Sequence, residues 1–122
     1  MKLNLVSFGT KDLDQSVRFY TELAKLKVVR RLEVPAGKIA FLADQDGDTM
    51  IEIIQFSDEQ PHGGNPGVSG VMMSFAAGES LESLREKAAN LGYEPSEIRQ
   101  FGPKPRFFSV KDPNGVDVEF SV

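Results

Sequence analysis

The 122-residue chain predicts an α+β protein built from two βαβββ modules. Three observations carry that prediction. The order strand, amphipathic helix, three strands is spelled twice along the chain. Each half closes on a strand that holds a glutamate among apolar residues, Glu52 in Met50-Ile51-Glu52-Ile53-Ile54 and Glu119 in Val116-Asp117-Val118-Glu119-Phe120. A single module of roughly 55–60 residues buries too little surface to stand alone, so two must share a core, within one chain or between chains. An acidic side chain in an apolar strand is costly unless it meets water, a cation or a ligand. Two at matching places of a repeat imply one shared cavity.

The elements follow in order. Leu3 to Thr10 alternates as a strand, with Leu5, Ser7 and Gly9 on one face. Asp12 suits an N-cap and Gln15 completes a capping box. The helix runs to about Ala24 behind a stripe of Leu13, Val17, Tyr20 and Leu23. Strands are predicted at Lys27–Val34, Lys38–Asp44 and Thr49–Phe56, with turns at Pro35-Ala36-Gly37 and Asp46-Gly47. Module one therefore covers about 1–56. Residues 57–67, which include His62, read as a linker, and module two covers about 68–122 of a single two-module domain. In it a strand over Val68–Phe75 precedes a helix capped by Ser80 and striped by Leu81, Leu84, Ala88 and Leu91, with Gly92 as its stop. Strands near Glu97–Phe101, Arg106–Lys111 and Val116–Val122 complete the module, the last two joined by the turn Asp112-Pro113-Asn114-Gly115.

Composition narrows the function classes. The net charge is −4 and no basic stripe with interleaved aromatics is present, which argues against nucleic acid as a partner. There is no cysteine, so disulfides, thiolate metal sites and a cysteine nucleophile are excluded. No apolar run approaches the ~20 residues of a membrane span, and no signal-peptide pattern opens the chain, so a cytoplasmic protein is expected.

Asp12-Leu13-Asp14-Gln15-Ser16-Val17-Arg18-Phe19-Tyr20, Leu26-Lys27-Val28-Val29, and Asp112-Pro113-Asn114-Gly115 with Glu119 resemble the signatures of the vicinal oxygen chelate superfamily, the glyoxalase/bleomycin-resistance/dioxygenase family. The resemblance spans essentially the whole chain. It implies two βαβββ modules forming a half-open barrel, and in metal-dependent members a divalent ion held by His, Glu, His and Glu on the first and last strands of the modules. Carried over position by position, the two glutamates fall on Glu52 and Glu119. The two imidazole positions fall on Leu5 and at about Gly70, and neither is histidine. Two carboxylates alone are a poor cage for Zn, Ni or Fe, although Mg or Mn could sit on them with waters. His62, the sole imidazole, lies in the linker.

The expectation is therefore a small-molecule binding protein without a cofactor, analogous to the antibiotic-sequestering members, with a divalent metal on Glu52 and Glu119 as the weaker alternative. Its ligand-contacting residues would be Leu5, Ser7, Met50, Met72, Ser74, Asp117 and, at the pocket mouth, Arg106. The methionines suit an irregular apolar ligand, plain core packing being their alternative role. The competing reading is an enzyme, a glyoxalase-like lyase or isomerase or a dioxygenase-like member, in which Glu52 and Glu119 act as catalytic acid and base or as ion ligands. A homodimer is expected under either reading. The resemblance also calls for glycine where the first helix ends, and the chain has Lys25 there. Lysine rarely takes a left-handed conformation, so the helix either ends differently or continues one residue further.

Overall fold

The structure is a computed structural model that describes residues 3–57 and 71–122. The predicted linker from residue 58 onward, with His62, and Gly70 lie outside the described residues. The chain divides into two units, 1–68 and 69–122.

In module one, β1 (Leu5–Gly9) leads to α1 (Leu13–Arg18), which widens into a π-helical turn over Phe19–Leu23; β2 (Lys27–Val34), β3 (Gly37–Ala43) and β4 (Met50–Phe56) follow. The sheet order is β1-β4-β3-β2, with β1 parallel to β4 and the other pairs antiparallel. Asp12 caps the helix by accepting the Gln15 amide at 3.1 Å, and the Gln55 side chain accepts the Leu13 amide at 2.9 Å, tying α1 to β4. The Ser16 and Thr10 hydroxyls share a buried hydrogen bond of 2.7 Å. The predicted stripe of Leu13, Val17, Tyr20 and Leu23 is buried, together with Phe19. The wider turn keeps the neighbouring rings Phe19 and Tyr20 both inside, 4.9 Å apart and edge to face. Lys25 takes the glycine-like position after all, at φ 61°, and the Leu26 amide reaches back to the Tyr20 carbonyl at 2.9 Å to close the helix. Gly37 is required by proximity: a Cβ there would collide with the Gln55 carbonyl oxygen on β4.

Module two runs β5 (Met72–Ala76), α2 (Leu81–Asn90), β6 (Phe107–Lys111), β7 (Asp117–Ser121), in the sheet order β5-β7-β6 with β5 parallel to β7. Ser80 caps α2 by accepting the Ser83 amide at 3.1 Å. The helix stops at Gly92 as predicted, with φ 95° there, but Leu91, expected in the buried stripe, is the C-cap and is exposed. The strand expected near Glu97–Phe101 shrinks to one bridge, Arg99 to Phe107. The reason lies at Ser96. Its amide donates to the Ser109 carbonyl at 2.8 Å and its hydroxyl accepts the Ser109 amide at 2.9 Å, so Ser109 is occupied by Ser96 and the Arg99–Phe107 ladder does not continue to Glu97. The predicted turn holds: the Asp112 carboxylate is buried and accepts the Asn114 and Val116 amides, both at 2.8 Å, while Gly115 supplies φ 86°.

Each sheet is covered by its helix on one face only. In module one Ile53, Ala40, Leu42 and Phe8 fill that side; in module two Phe108, Val110, Val118 and Phe120 do so against Leu81, Leu84 and Ala88. Phe120 lies 5.7 Å from Phe75 and 5.4 Å from Phe108, ring to ring. Each large apolar side chain removed from water contributes ~1.5–3 kcal/mol. The opposite, open faces carry the candidate functional residues. Among the described residues no helix is long and apolar enough to cross a membrane.

Candidate functional site

Strand alternation and register fix which side chains share an open face. In β4 the buried Ile51 and Ile53 point to the helix side, so Met50, Glu52 and Ile54 point away. Leu5 pairs with Met50 and Ser7 with Glu52 across the parallel β1/β4 ladder. In module two the buried Val118 and Phe120 leave Asp117, Glu119 and Ser121 on the open side, with Met72 opposite Asp117 and Ser74 opposite Glu119. Leu5, Ser7, Met50 and Glu52 thus lie together on one open face, and Met72, Ser74, Asp117 and Glu119 on the other.

The register also sharpens the correspondence between the modules. Leu5 stands two residues before Ser7, the partner of Glu52, and Met72 stands two residues before Ser74, the partner of Glu119. Met72, rather than Gly70, is therefore the module-two counterpart of Leu5. Neither is an imidazole.

Glu52 and Glu119 are both half-buried but differently served. The Ser74 hydroxyl donates to the Glu119 carboxylate at 2.9 Å. Beside it, Lys111 and Asp117 form an ion pair of 2.7 Å, so Asp117 already has its counter-charge. A concavity of about 430 Å³ in this module is lined by Glu94, Ser96, Ser109, Lys111 and Asp117, and not by Glu119. Arg106, expected at a pocket mouth, is engaged elsewhere. Its guanidinium donates to Glu82 on α2 at 2.6 Å, and that bond holds the Glu82 carboxyl below the usual carboxylate range.

Around Glu52 the register reveals two residues that the sequence reading passed over. Phe41 of β3 is paired directly with Glu52, and Arg30 of β2 is paired with Phe41. Phe41 was within reach of period-two counting once β3 was aligned with β4. Arg30 was not, because its facing depends on a β-bulge. Val28 pairs with Leu42 and Arg30 with Phe41, leaving Val29 as the extra residue. Without the bulge Arg30 would lie on the same side as Val28, under the helix. With it, Arg30 moves to the open face.

The divalent ion implied by the resemblance can be tested against this donor set. Each open face offers a carboxylate flanked by a serine hydroxyl, and an alkyl or thioether side chain at the imidazole position. Among the described residues no three His, Cys, Asp or Glu side chains gather. Transition metals of such sites favour imidazole or thiolate. Among the described residues this donor set does not match the His, Glu, His and Glu that the resemblance implies for the usual ion.

A two-module α+β protein with one helix-free face per sheet is the class these observations define. The profile of the Glyoxalase/Bleomycin resistance protein/Dioxygenase superfamily matches residues 2–120, and the chain belongs to that superfamily. It is 30% identical over 117 residues to a lactoylglutathione lyase of Haemophilus influenzae, covering 89% of this chain and 83% of that protein. It is 29% identical over 119 residues to a putative lactoylglutathione lyase of Brassica oleracea var. gemmifera, covering 93% of this chain but only 42% of the plant protein. The solved structure of TnmS3, an antibiotic binding protein from Streptomyces sp. CB03234, shares the fold with a TM-score of 0.74 at 16% identity, over 99% of this chain and 94% of its own.

Proposed function

We propose that this chain is a small-molecule binding protein of the superfamily that works without the usual divalent-metal site. One observation carries the reading: Leu5 and Met72 stand where the resemblance calls for imidazole, and within each module the carboxylate is paired with a serine, Glu52 with Ser7 and Glu119 with Ser74. Leu5, Met50 and Met72 offer apolar contact; Ser7, Ser74, Glu52, Glu119 and Asp117 offer hydrogen bonds. Arg106 would join only after leaving Glu82. The proposal includes a homodimer in the cytoplasm, the former checked by light scattering.

A second reading rests on the bacterial relative named a lactoylglutathione lyase. Glu52 and Glu119 would then serve as proton-transfer groups or as ligands of an ion completed by water. Elemental analysis of the purified protein, with thermal-shift titrations of Ni, Zn, Mn, Mg and Fe(II), separates the two. The binding reading expects no stoichiometric ion and no saturable shift. An ion near one per chain that Glu52→Gln and Glu119→Gln both remove would refute it, as would metal-dependent turnover of the methylglyoxal–glutathione hemithioacetal.

A further inference from the structure

The open face of module one carries a row of chemistry that the metal-free reading leaves unused. Reading across the sheet, the row is Ser7 on β1, Glu52 on β4, Phe41 on β3 and Arg30 on β2. The ring stands between an anion and a cation. Neighbouring strands are ~4.8 Å apart, so the backbones of Glu52 and Arg30 lie ~9.6 Å from each other with Phe41 midway. Among the described residues none of these three side chains makes a hydrogen bond, an ion pair or a ring contact. On one side the neighbouring row is Leu5, Met50 and Ala43, ending on the cation Lys27 of β2, and on the other it is Ile54, Ile39 and Leu32, so Glu52 itself has apolar neighbours and the β2 end of the face is cationic. A half-buried carboxylate among such neighbours has lost part of its hydration without gaining a donor. The bulge at Val29 strengthens the argument, because it is the feature that delivers Arg30 to this face.

We propose that this row binds a flat aromatic zwitterion: its cation at Glu52, its ring on Phe41 and its anion at Arg30. The proposal rests on the metal-free reading of the same face and names the ligand class. Carboxylate and ring together suit an ammonium or amidinium group, which gains both a charge-assisted hydrogen bond and attraction to the ring face. Guanidinium suits a carboxylate or phosphate at the other end. A ligand with one charge leaves either Glu52 or Arg30 unmatched.

The probe is 4-(aminomethyl)benzoate, compared by calorimetric or NMR titration with benzylamine, which lacks the anion, and 4-methylbenzoate, which lacks the cation. The zwitterion is expected to bind about tenfold more tightly than either, a difference of ~1.4 kcal/mol. Glu52→Gln should reduce it to the level of 4-methylbenzoate and Arg30→Gln to that of benzylamine. Phe41→Leu should weaken all three probes, and Glu86→Gln on the exposed side of α2 should change none. Affinities of the three probes within twofold of one another on the wild-type protein would overturn the proposal, and this comparison needs no variant to fold. Discrimination that survives in both Glu52→Gln and Arg30→Gln would overturn it equally. All titrations run with and without EDTA. Loss of discrimination with a metal-free protein sinks this ligand class alone, whereas a stoichiometric ion bound through Glu52 sinks the binding reading beneath it.

Discussion

The two modules repeat one plan on their covered faces and diverge on their open ones. Under each helix the sheet presents the same run of aliphatic and aromatic side chains, and the turn and cap residues do the same job twice. On the open side, module one sets its carboxylate beside Ser7 and among Leu5, Met50, Ile54, Ile39 and Phe41, whereas module two sets its carboxylate among Ser74, Ser109, Ser121 and the Lys111–Asp117 pair, with Met72 and Phe107 as its apolar neighbours. Glu119 receives a hydroxyl and Glu52 receives nothing from the described residues. Of the residues that carry the resemblance, Asp12, Ser16, Phe19, Tyr20, Asp112 and Gly115 are caps, turns and core, whereas Glu119 lies on an open face. The former report the fold. The open faces, where the modules part company, hold the chemistry.

If the covered faces are equivalent, cutting either core should cost alike. Phe120→Ala removes a buried ring that touches two others and is expected to cost ~3–5 kcal/mol; Ile53→Ala, its counterpart in module one, ~2–5 kcal/mol. Urea midpoints measure both. A Phe120→Ala loss below about 1 kcal/mol would show that module two contributes little core. The turns sharpen the contrast. Asp112→Ala strands two amides that its carboxylate receives and should cost ~2–3 kcal/mol. Asp12→Ala removes the exposed cap bond to Gln15, for ~1 kcal/mol. Equal losses would mean that burial does not set these values.

A smaller effect, of opposite sign, sits where the helices end. Module two stops its helix with Gly92 at φ 95°, module one with Lys25 at φ 61°. A left-handed conformation costs a side-chain-bearing residue ~1–2 kcal/mol, part of which glycine returns as unfolded-state entropy. Lys25→Gly should therefore stabilise the protein by roughly 0.5–1 kcal/mol. A lower melting temperature would mean that the lysine side chain contributes more than its backbone strain costs.

The sequence disclosed what depends on period and turn chemistry. Alternation placed Leu5, Ser7, Met50, Glu52, Met72, Ser74, Asp117 and Glu119 on their open faces, and the Asp-Pro-Asn-Gly turn was legible because proline and glycine each have a fixed backbone use. What it hid depends on pairings between distant residues. Arg30 reaches its face through a bulge, which shows in the register with β3 and not in β2 itself. The fourth strand of module two stops at one bridge because the Ser96 side chain takes the Ser109 amide that the Glu97 carbonyl would receive. The Arg106–Glu82 bond joins residues 24 apart in sequence, on different elements, and no local period shows it.

That last pair gives the smallest and most condition-dependent prediction. Arg106, by its hydrogen bond, holds the Glu82 carboxyl below its ordinary 4.5, so the folded state keeps this proton off more readily than the unfolded chain. The contribution is present above the unfolded value and fades as pH falls through the lowered folded one. Both side chains are exposed, so salt screens the pair and the effect on stability is slight. Wild type and Glu82→Gln should differ most at neutral pH and low salt, and their unfolding midpoints should converge in acid and at high ionic strength. Glu82→Gln also frees the guanidinium. If the variant then binds anionic probes that the wild type ignores, the ion pair restrains Arg106 from serving the ligand. If binding is unchanged, Arg106 belongs to the support of α2, and the asymmetry between the two open faces rests on Arg30 and Phe41.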